Sequence, residues 1–367
     1  LSYTEVSTAL TCFAKWDFSY GGRLAGATLR PRETAPILSD GRAWGAAVAA
    51  WHAHSGELFA EQEAMLAIVD SLYADADEMR RKGYEPDLEL MLDQQTRLIG
   101  ILGHYVATAE QLPNLSQLEG ELNVAIPSRG GKRGSNRYRF HCYLDGHSQS
   151  DHPWIVEFKL RKGLTPRAIV ERQPQYRWYA LAYALTTGTK GPVGVLLDER
   201  LNEMPLPPRI VNGSAKEKAE PAGHGSAAEV LDWIDHVEEC GTRRPSDDAK
   251  QHTTAELYLA ACAEHRHEPN RGTVEALRAR TWQQRIPLIF TPEDLREAAD
   301  ELTGAAKLIR DLDSGALFPI RNGSRGTCQS CRFAGVCMEP TNHFLINSMF
   351  ERTEPKRLRG PRPEGVR

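Results

Sequence analysis

The sequence predicts an α/β fold with one central sheet and helices against its faces. Two observations lead there. Leu118 to Pro127, the apolar run closed by Asp145, and Trp154 to Leu160 read as successive strands; a helical run with Gln175 and Tyr179 follows, then a buried strand at Gly191 to Asp198. Strand, strand, strand, helix, strand is an α/β order. The composition, 41% hydrophobic and 26% charged over 367 residues, belongs to an ordinary folded chain with a large core or two modest domains. No apolar run is long enough to span a membrane, so no membrane partner is expected.

The elements follow in chain order. Ser2 or Thr4 caps a first helix whose Val6, Ala9, Leu10 and Phe13 recur at helical spacing, with Cys12 inside it. Leu1 stands where an initiator methionine is expected, which points to a trimmed start. No basic-then-apolar leader is seen, so disulfides are not implied and a cytoplasmic setting is expected. Gly41 to Phe59, Glu61 to Arg81 and Leu88 to Glu110 read as helices. His52 and His54 read as solvated helix residues. Arg129 to Arg139 is basic and glycine-rich, and fits either a phosphate-contacting loop or a solvated hairpin turn. Arg200 to Gly225 reads as loop. Ala227 to Arg285 reads as helices anchored by Trp233, Leu257 and Leu259, with no chemistry assigned. Thr291-Pro292-Glu293-Asp294 is a helix start, with Thr as cap and Pro at the first position, and that helix runs to about Leu312. Arg352 to Arg367 is a basic tail, either disordered or touching DNA. The net charge of −4 disfavours a globally basic DNA binder, though only a groove need be positive.

The chemistry concentrates between Tyr143 and Tyr179. On a strand, Glu157 and Lys159 share one face, while Val156, Phe158 and Leu160 share the other. Asp145 closes the preceding run. Two carboxylates and a lysine at the ends of adjacent strands suit a hard divalent cation and its activated water. A charged pair on so apolar a strand is unfavourable unless it binds something. Gln175 and Tyr179, at i and i+4, lie on one helix face.

An Asp, then E-F-K at Glu157 to Lys159, then Q-Y-R-W-Y at Gln175 to Tyr179 resembles the PD-(D/E)XK nuclease superfamily, in its RecB/AddB-like branch. That branch includes iron–sulfur exonucleases encoded by phages and CRISPR loci. The resemblance implies a restriction-endonuclease-like mixed sheet and Mg²⁺ or Mn²⁺ held by Asp145, Glu157 and the Phe158 carbonyl. It implies Lys159 acting on water, and Gln175 and Tyr179 as catalytic-site supports. The substrate would be DNA, as single strands or duplex ends, in a bacterial host or phage-infected cell, in recombination, repair or phage DNA metabolism. No P-loop is present, so unwinding would need a helicase partner; a recombinase is the other partner expected. The family's G-x-x-x-H has become G-R-A-W-G, with Gly45 at the histidine position. His52 lies about 10 Å further along such a helix and cannot replace it without a register shift. Water, Glu121 or nothing completes the site, and a catalytically degenerate DNA-binding member is the alternative.

Cys328, Cys331 and Cys337 form C-x2-C-x5-C, with Cys12 as a distant fourth. Four thiolates suit a [4Fe–4S] cluster or zinc; the resemblance favours iron–sulfur, clasping the ends of the chain. Cys142, Cys240 and Cys262 read as small buried residues. The expected organisation is a helical region with the first cluster cysteine at 1–115, the nuclease core at 116–200, a loop and helical insertion at 201–290, a helix and cluster segment at 291–345, and the basic tail at 346–367. A zinc-stabilised interaction protein is a further rival; a redox sensor is disfavoured because no C-x-x-C adjoins a thioredoxin-like strand.

Overall fold

The computed structural model describes residues 1–31, 36–54, 56–110, 112, 115, 117–127, 134–148, 153–212 and 243–354. Helix α1 (Tyr3–Thr11) starts where the Ser2 hydroxyl accepts from Glu5 N–H. Cys12 then turns extended, at φ −162° and ψ 116°, rather than lying within a helix as expected. The single turn α2 (Phe13–Trp16) and a π-turn, Asp17–Gly21, follow and end at Gly22 with φ 76°. A short strand, β1 (Thr28–Pro31), leads to three long helices: α3 (Pro36–Ala53), α4 (Ala60–Arg81) and α5 (Leu88–Thr108). Each buries one stripe, for example Ala64, Ile68, Leu72 and Ala76 on α4, at the four-residue spacing that keeps side chains on one face.

The strands β2 (Gln117–Pro127), β3 (Gly134–Ser148) and β4 (Trp154–Arg161) come next, then α6 (Arg167–Val170), α7 (Pro174–Thr187) and β5 (Val193–Leu201). β6 (Ile210–Asn212) and β7 (Arg243–Pro245) pair separately. The chain continues through α8 (Ala255–Glu264), α9 (Arg271–Ala279), β8 (Gln283–Phe290) and α10 (Pro292–Ser314). It closes with α11 (Arg325–Gln329), α12 (Ala334–Met338), α13 (His343–Met349) and β9 (Phe350–Thr353).

The central sheet runs β2-β3-β4-β5-β8. Only β4 and β5 are parallel, because α6 and α7 cross between them; the other pairs are antiparallel. Alternate residues of β4 and β5 feed two cores. Val156, Phe158 and Leu196 pack with α3, α4 and α5; Ile155, Val195 and Leu197 pack with α7 and α10. This gives a mixed sheet between helical layers.

The segment expected to be purely loop and helix contributes β8 instead. Its Ile286, Leu288 and Phe290 point inward and alternate with exposed Pro287 and Ile289. Pro287 masks the strand in the sequence, and is tolerated because β8 is an edge. Residues 213–242, with Trp233 and Cys240, lie outside the described part. Helix α10 has the expected start: the Thr291 hydroxyl accepts from Asp294 N–H and the Asp294 carboxylate from Thr291 N–H, a capping box.

The expected tail begins later than residue 346. α13 and β9 are ordered, and β9 pairs antiparallel with β1, Thr28 opposite Thr353. Phe18, Leu29, Phe333, Ile346 and Phe350 form a small core there, with Cys12, Cys331 and Cys337 against it. Residues 355–367 are not among those described.

Gly194 faces Trp154 across the β4–β5 pair, and a Cβ there would overlap the indole ring. Gly194→Ala should therefore destabilise by about 1–3 kcal/mol, the usual penalty of overpacking a core; thermal melts of the two proteins test this.

Candidate active site

β4 brings Glu157 into the core and leaves Lys159 partly open. Glu157 is 2% exposed, while the Asp145 and Lys159 side chains keep about a third of their surface. The Asp145 carboxylate accepts from the backbone N–H of Phe158 at 2.7 Å, which fixes the end of β3 against β4. The Lys159 ammonium contacts Glu157 Oε1 closely and stands 3.9 Å from Asp145 Oδ2. Gln175, in the first turn of α7, donates to the same Glu157 Oε1 at 3.3 Å. Glu157 Oε2 is buried without a hydrogen-bond partner among the described residues. The structure thus brings Asp145, Glu157, Lys159 and Gln175 together. Tyr179, one turn further along α7, adjoins Gln175 and feels the charge of Glu157.

The electrostatics follow from two acids sharing one ammonium. Burial, then the neighbouring Asp145 charge, pushes Glu157 up to about 7, against the pull of Lys159. Burial also raises Asp145, although Lys159 and the Phe158 N–H oppose it. Burial alone would lower Lys159, but Glu157 and Asp145 outweigh it and hold the ammonium charged. Burial, then Glu157, raises the Tyr179 phenol. When both acids ionise, the pocket carries more negative charge than Lys159 offsets, an imbalance a bound cation relieves.

The donor set fits a hard divalent ion. It offers two carboxylates, an unused Glu157 oxygen and the Phe158 carbonyl, and an ion such as Mg²⁺ completes its shell with water and substrate phosphate. Among the described residues, no three His, Cys, Asp or Glu side chains group tightly enough to hold an ion by themselves.

Other expected residues lie elsewhere. Gly45 is a half-buried position of α3, where an added Cβ would meet nothing within 4 Å. His52 is not solvated: it is 6% exposed and stacks on Phe158 at 5.4 Å and 16°, on the α3 side of β4. Burial and then Arg285 push it down to about 4, so the ring is neutral. His54 is solvated and pairs with Glu57 at 2.9 Å. Glu121 does not complete the site; it is exposed and pairs with His141 at 2.9 Å. Of the basic stretch, residues 128–133 lie outside the described part. Arg139 donates to the Asn123 side-chain and backbone oxygens.

Sequence reasoning missed two neighbours of the site. Burial and then Glu157 push the Cys142 thiol up to about 12. Tyr176 likewise rises to about 12, through burial and then Glu157, and its hydroxyl is buried without a hydrogen-bond partner among the described residues. Their signals were faint: Cys142 shares a buried strand face with Leu144, and Tyr176 merely follows Gln175.

Of the four cysteines, Cys12 and Cys328 contact Asn322, and Cys331 and Cys337 pack against the same small core as Cys12. Asn322 N–H donates to Cys12 Sγ at 3.4 Å, and Cys328 Sγ donates to the Asn322 carbonyl at 3.9 Å. The Cys337 thiol is raised by burial first, and Cys12, Cys331 and Cys328 all add to the rise. Cys262 is buried in the α8–α9 core.

A family model described as the PD-(D/E)XK nuclease superfamily matches residues 1–243, which include α1 to β6 and all five residues of the Asp145–Tyr179 constellation. Comparison with curated proteins returned no match.

A carboxyl raised in the folded state binds its proton more tightly than in the unfolded chain. Its charged form therefore weakens the fold as pH climbs from the ordinary carboxylate range through about 7. In metal-free protein, Glu157→Gln should melt higher than wild type at pH 8, with the advantage shrinking toward pH 5. Parallel melting curves at the two pH values would contradict this.

Proposed function

The chain belongs to the PD-(D/E)XK nuclease superfamily, and from that premise we propose that it is a Mg²⁺- or Mn²⁺-dependent DNA exonuclease acting in recombination, repair or phage DNA metabolism. The carrying observation is the convergence of Asp145, Glu157 and Lys159, with an unpartnered carboxylate oxygen at its buried centre. Asp145, Glu157 and the Phe158 carbonyl would hold the ion. When bound, such an ion lowers the pKa of a water and offsets charge on the scissile phosphate.

Lys159, held charged by its two acids, orients the attacking water or neutralises the developing charge as a point cation. Gln175 binds Glu157 Oε1, which would leave Oε2 to hold the ion. Tyr179 supports Gln175 or positions the substrate strand. The products would be a 5′-phosphate and a 3′-hydroxyl, and a helicase or recombinase would supply the open DNA strand in a bacterial or phage-infected cytoplasm.

Cys12, Cys328, Cys331 and Cys337 fit a structural [4Fe–4S] cluster. What supports the reading is that Cys12 and Cys328 both contact Asn322, while Cys12, Cys331 and Cys337 pack against one small core. Zinc, which also takes four thiolates, is the less favoured occupant by the resemblance alone.

A second reading is favoured by Gly45: with no side chain where the resemblance puts a histidine, the chain could bind DNA without cutting it. Labelled single-stranded and duplex oligonucleotides, incubated with anaerobically purified protein with and without Mn²⁺, separate the two. Lys159→Ala should reduce cleavage by at least about 100-fold while circular dichroism stays unchanged, since Glu157 can take up a proton. Unaltered cleavage in that variant would exclude the mechanism. Cys331→Ala should lose the brown colour and iron and melt lower; equal iron content and melting would remove the cluster.

A further inference from the structure

The sheet forks beside the candidate active site. β3 and β4 pair only over residues 146–148 with 154–156; on the near side of that stretch β3 runs with β2, and on the far side β4 runs with β5. Asp145, Glu157 and Lys159 lie where the two strands part. Strand alternation then carries one more charged side chain along the Glu157–Lys159 face: Arg161, the last residue of β4. At the usual rise of a strand it stands about 6.6 Å beyond Lys159, close to the step between successive phosphates of a nucleotide chain.

Arg161 is anchored from behind. Its Nε donates to Glu199 Oε1 at 3.3 Å; the arginine side chain is 37% exposed, that of Glu199 not at all. The buried carboxylate is itself fixed by three further donors at 2.8 Å: the Thr165 N–H, the Thr165 hydroxyl and the Gln284 amide. Nε is the only guanidinium nitrogen of Arg161 with a hydrogen bond among the described residues. Glu157, Tyr176 on α7 and the half-buried Tyr3 at the start of α1 all feel its charge, so the guanidinium lies on the site's side of the sheet. An arginine braced in this way has already lost much of the side-chain freedom that binding would remove.

We propose that Arg161 is a phosphate subsite beside the candidate active site, binding the phosphodiester next to the scissile one through its terminal amino groups, with Glu199 as the positioning residue behind it. The planar fork of a guanidinium pairs two oxygens of one phosphate, where an ammonium offers a point charge. The two cations of this strand face thus divide the work: Lys159 serves the group being cut, and Arg161 sets the strand in register. A phosphate contact positions without reading sequence, so the subsite holds any sequence alike. The identity of the bound strand rests on the nuclease reading; the braced, half-open guanidinium does not.

The test is fluorescence anisotropy of a labelled oligothymidylate, single-stranded and as a duplex, titrated with the full chain over a salt series with Ca²⁺ in place of Mn²⁺; cleavage is followed separately with Mn²⁺. Arg161→Gln should weaken binding about 10-fold, the usual effect of losing a hydrogen bond to a charged group. It should also flatten the slope of log Kd against log salt by about 0.7 on the single strand or about 0.9 on the duplex, the loss of one phosphate contact. Arg161→Lys, which keeps the charge, should recover the slope but not all the affinity. Arg271→Gln, which removes an exposed arginine of α9, should change neither. In cleavage, Arg161→Gln should raise KM and spare kcat. An arginine that only braces Glu199 would lower the melting temperature of Arg161→Gln and leave the slope as it was; that result overturns the proposal, as does a wild-type chain that binds neither form of DNA. Cleavage with an unchanged slope removes the subsite and spares the nuclease, whereas the expected slope change without cleavage keeps the subsite and ends the nuclease reading.

Discussion

The Asp145 carboxylate reaches across from β3 to the backbone N–H of Phe158, and this one hydrogen bond sets the geometry on which the site depends. It lies where the long β2–β3 hairpin meets the parallel β4–β5 pair. The same residue that donates its N–H buries its ring against His52 on one side and separates Glu157 from Lys159. Strand periodicity does the rest: Glu157 is turned toward α7, where Gln175 and Tyr176 await it, and Phe158 toward α3. Two acids and an ammonium are thereby concentrated at low dielectric, where their mutual influence is large.

The layers on either side hold that strand still. α3 and α5 press Trp44, Trp51 and Tyr105 edge-to-face beneath it, and Tyr105 also ties α5 to the sheet through Asp198. Asp40 links α3 to α5 and to the end of β5 by accepting from Arg97, Gln94 and Asn202. On the opposite face Trp178 bonds Glu301, joining α7 to α10. These contacts satisfy Asp40, Asp198 and Glu301, whereas Glu157 keeps one buried oxygen without a hydrogen-bond partner among the described residues.

Much of this was legible in the residues. The alternation in W-I-V-E-F-K-L marked β4 and placed Glu157 and Lys159 on one face, and the four-residue step from Gln175 to Tyr179 marked one side of α7. The α/β order and the family followed from the same stretch. What was hidden has physical reasons. Pro287 disguised β8, because a proline in a strand is admissible only at an edge and edges cannot be read locally. His52 read as solvated because an alanine-rich helix shows little contrast between its faces. The strand was expected to end at Asp198 and a loop to begin at Arg200, yet Asp198, Glu199 and Arg200 are all buried on β5, where Asp198 and Glu199 find partners from α5, β8 and Thr165. Tertiary partners of that kind leave no local trace.

The β1–β9 pair joins Thr28 to Thr353, residues 325 apart in the chain. A ribosome makes the chain from its N-terminus, so β2 to β5 can assemble long before β9 exists. Until then Cys12 and Phe18 lack Phe350 in their core, while α1 packs against the sheet, α7 and α10. Closing so long a loop is slow, and its entropic penalty grows only weakly with length. The core beside Cys12, Cys331 and Cys337 is complete only once Phe350 is in place. A chain ending before Phe350 would keep the strands that carry Asp145, Glu157 and Lys159 while leaving that corner open.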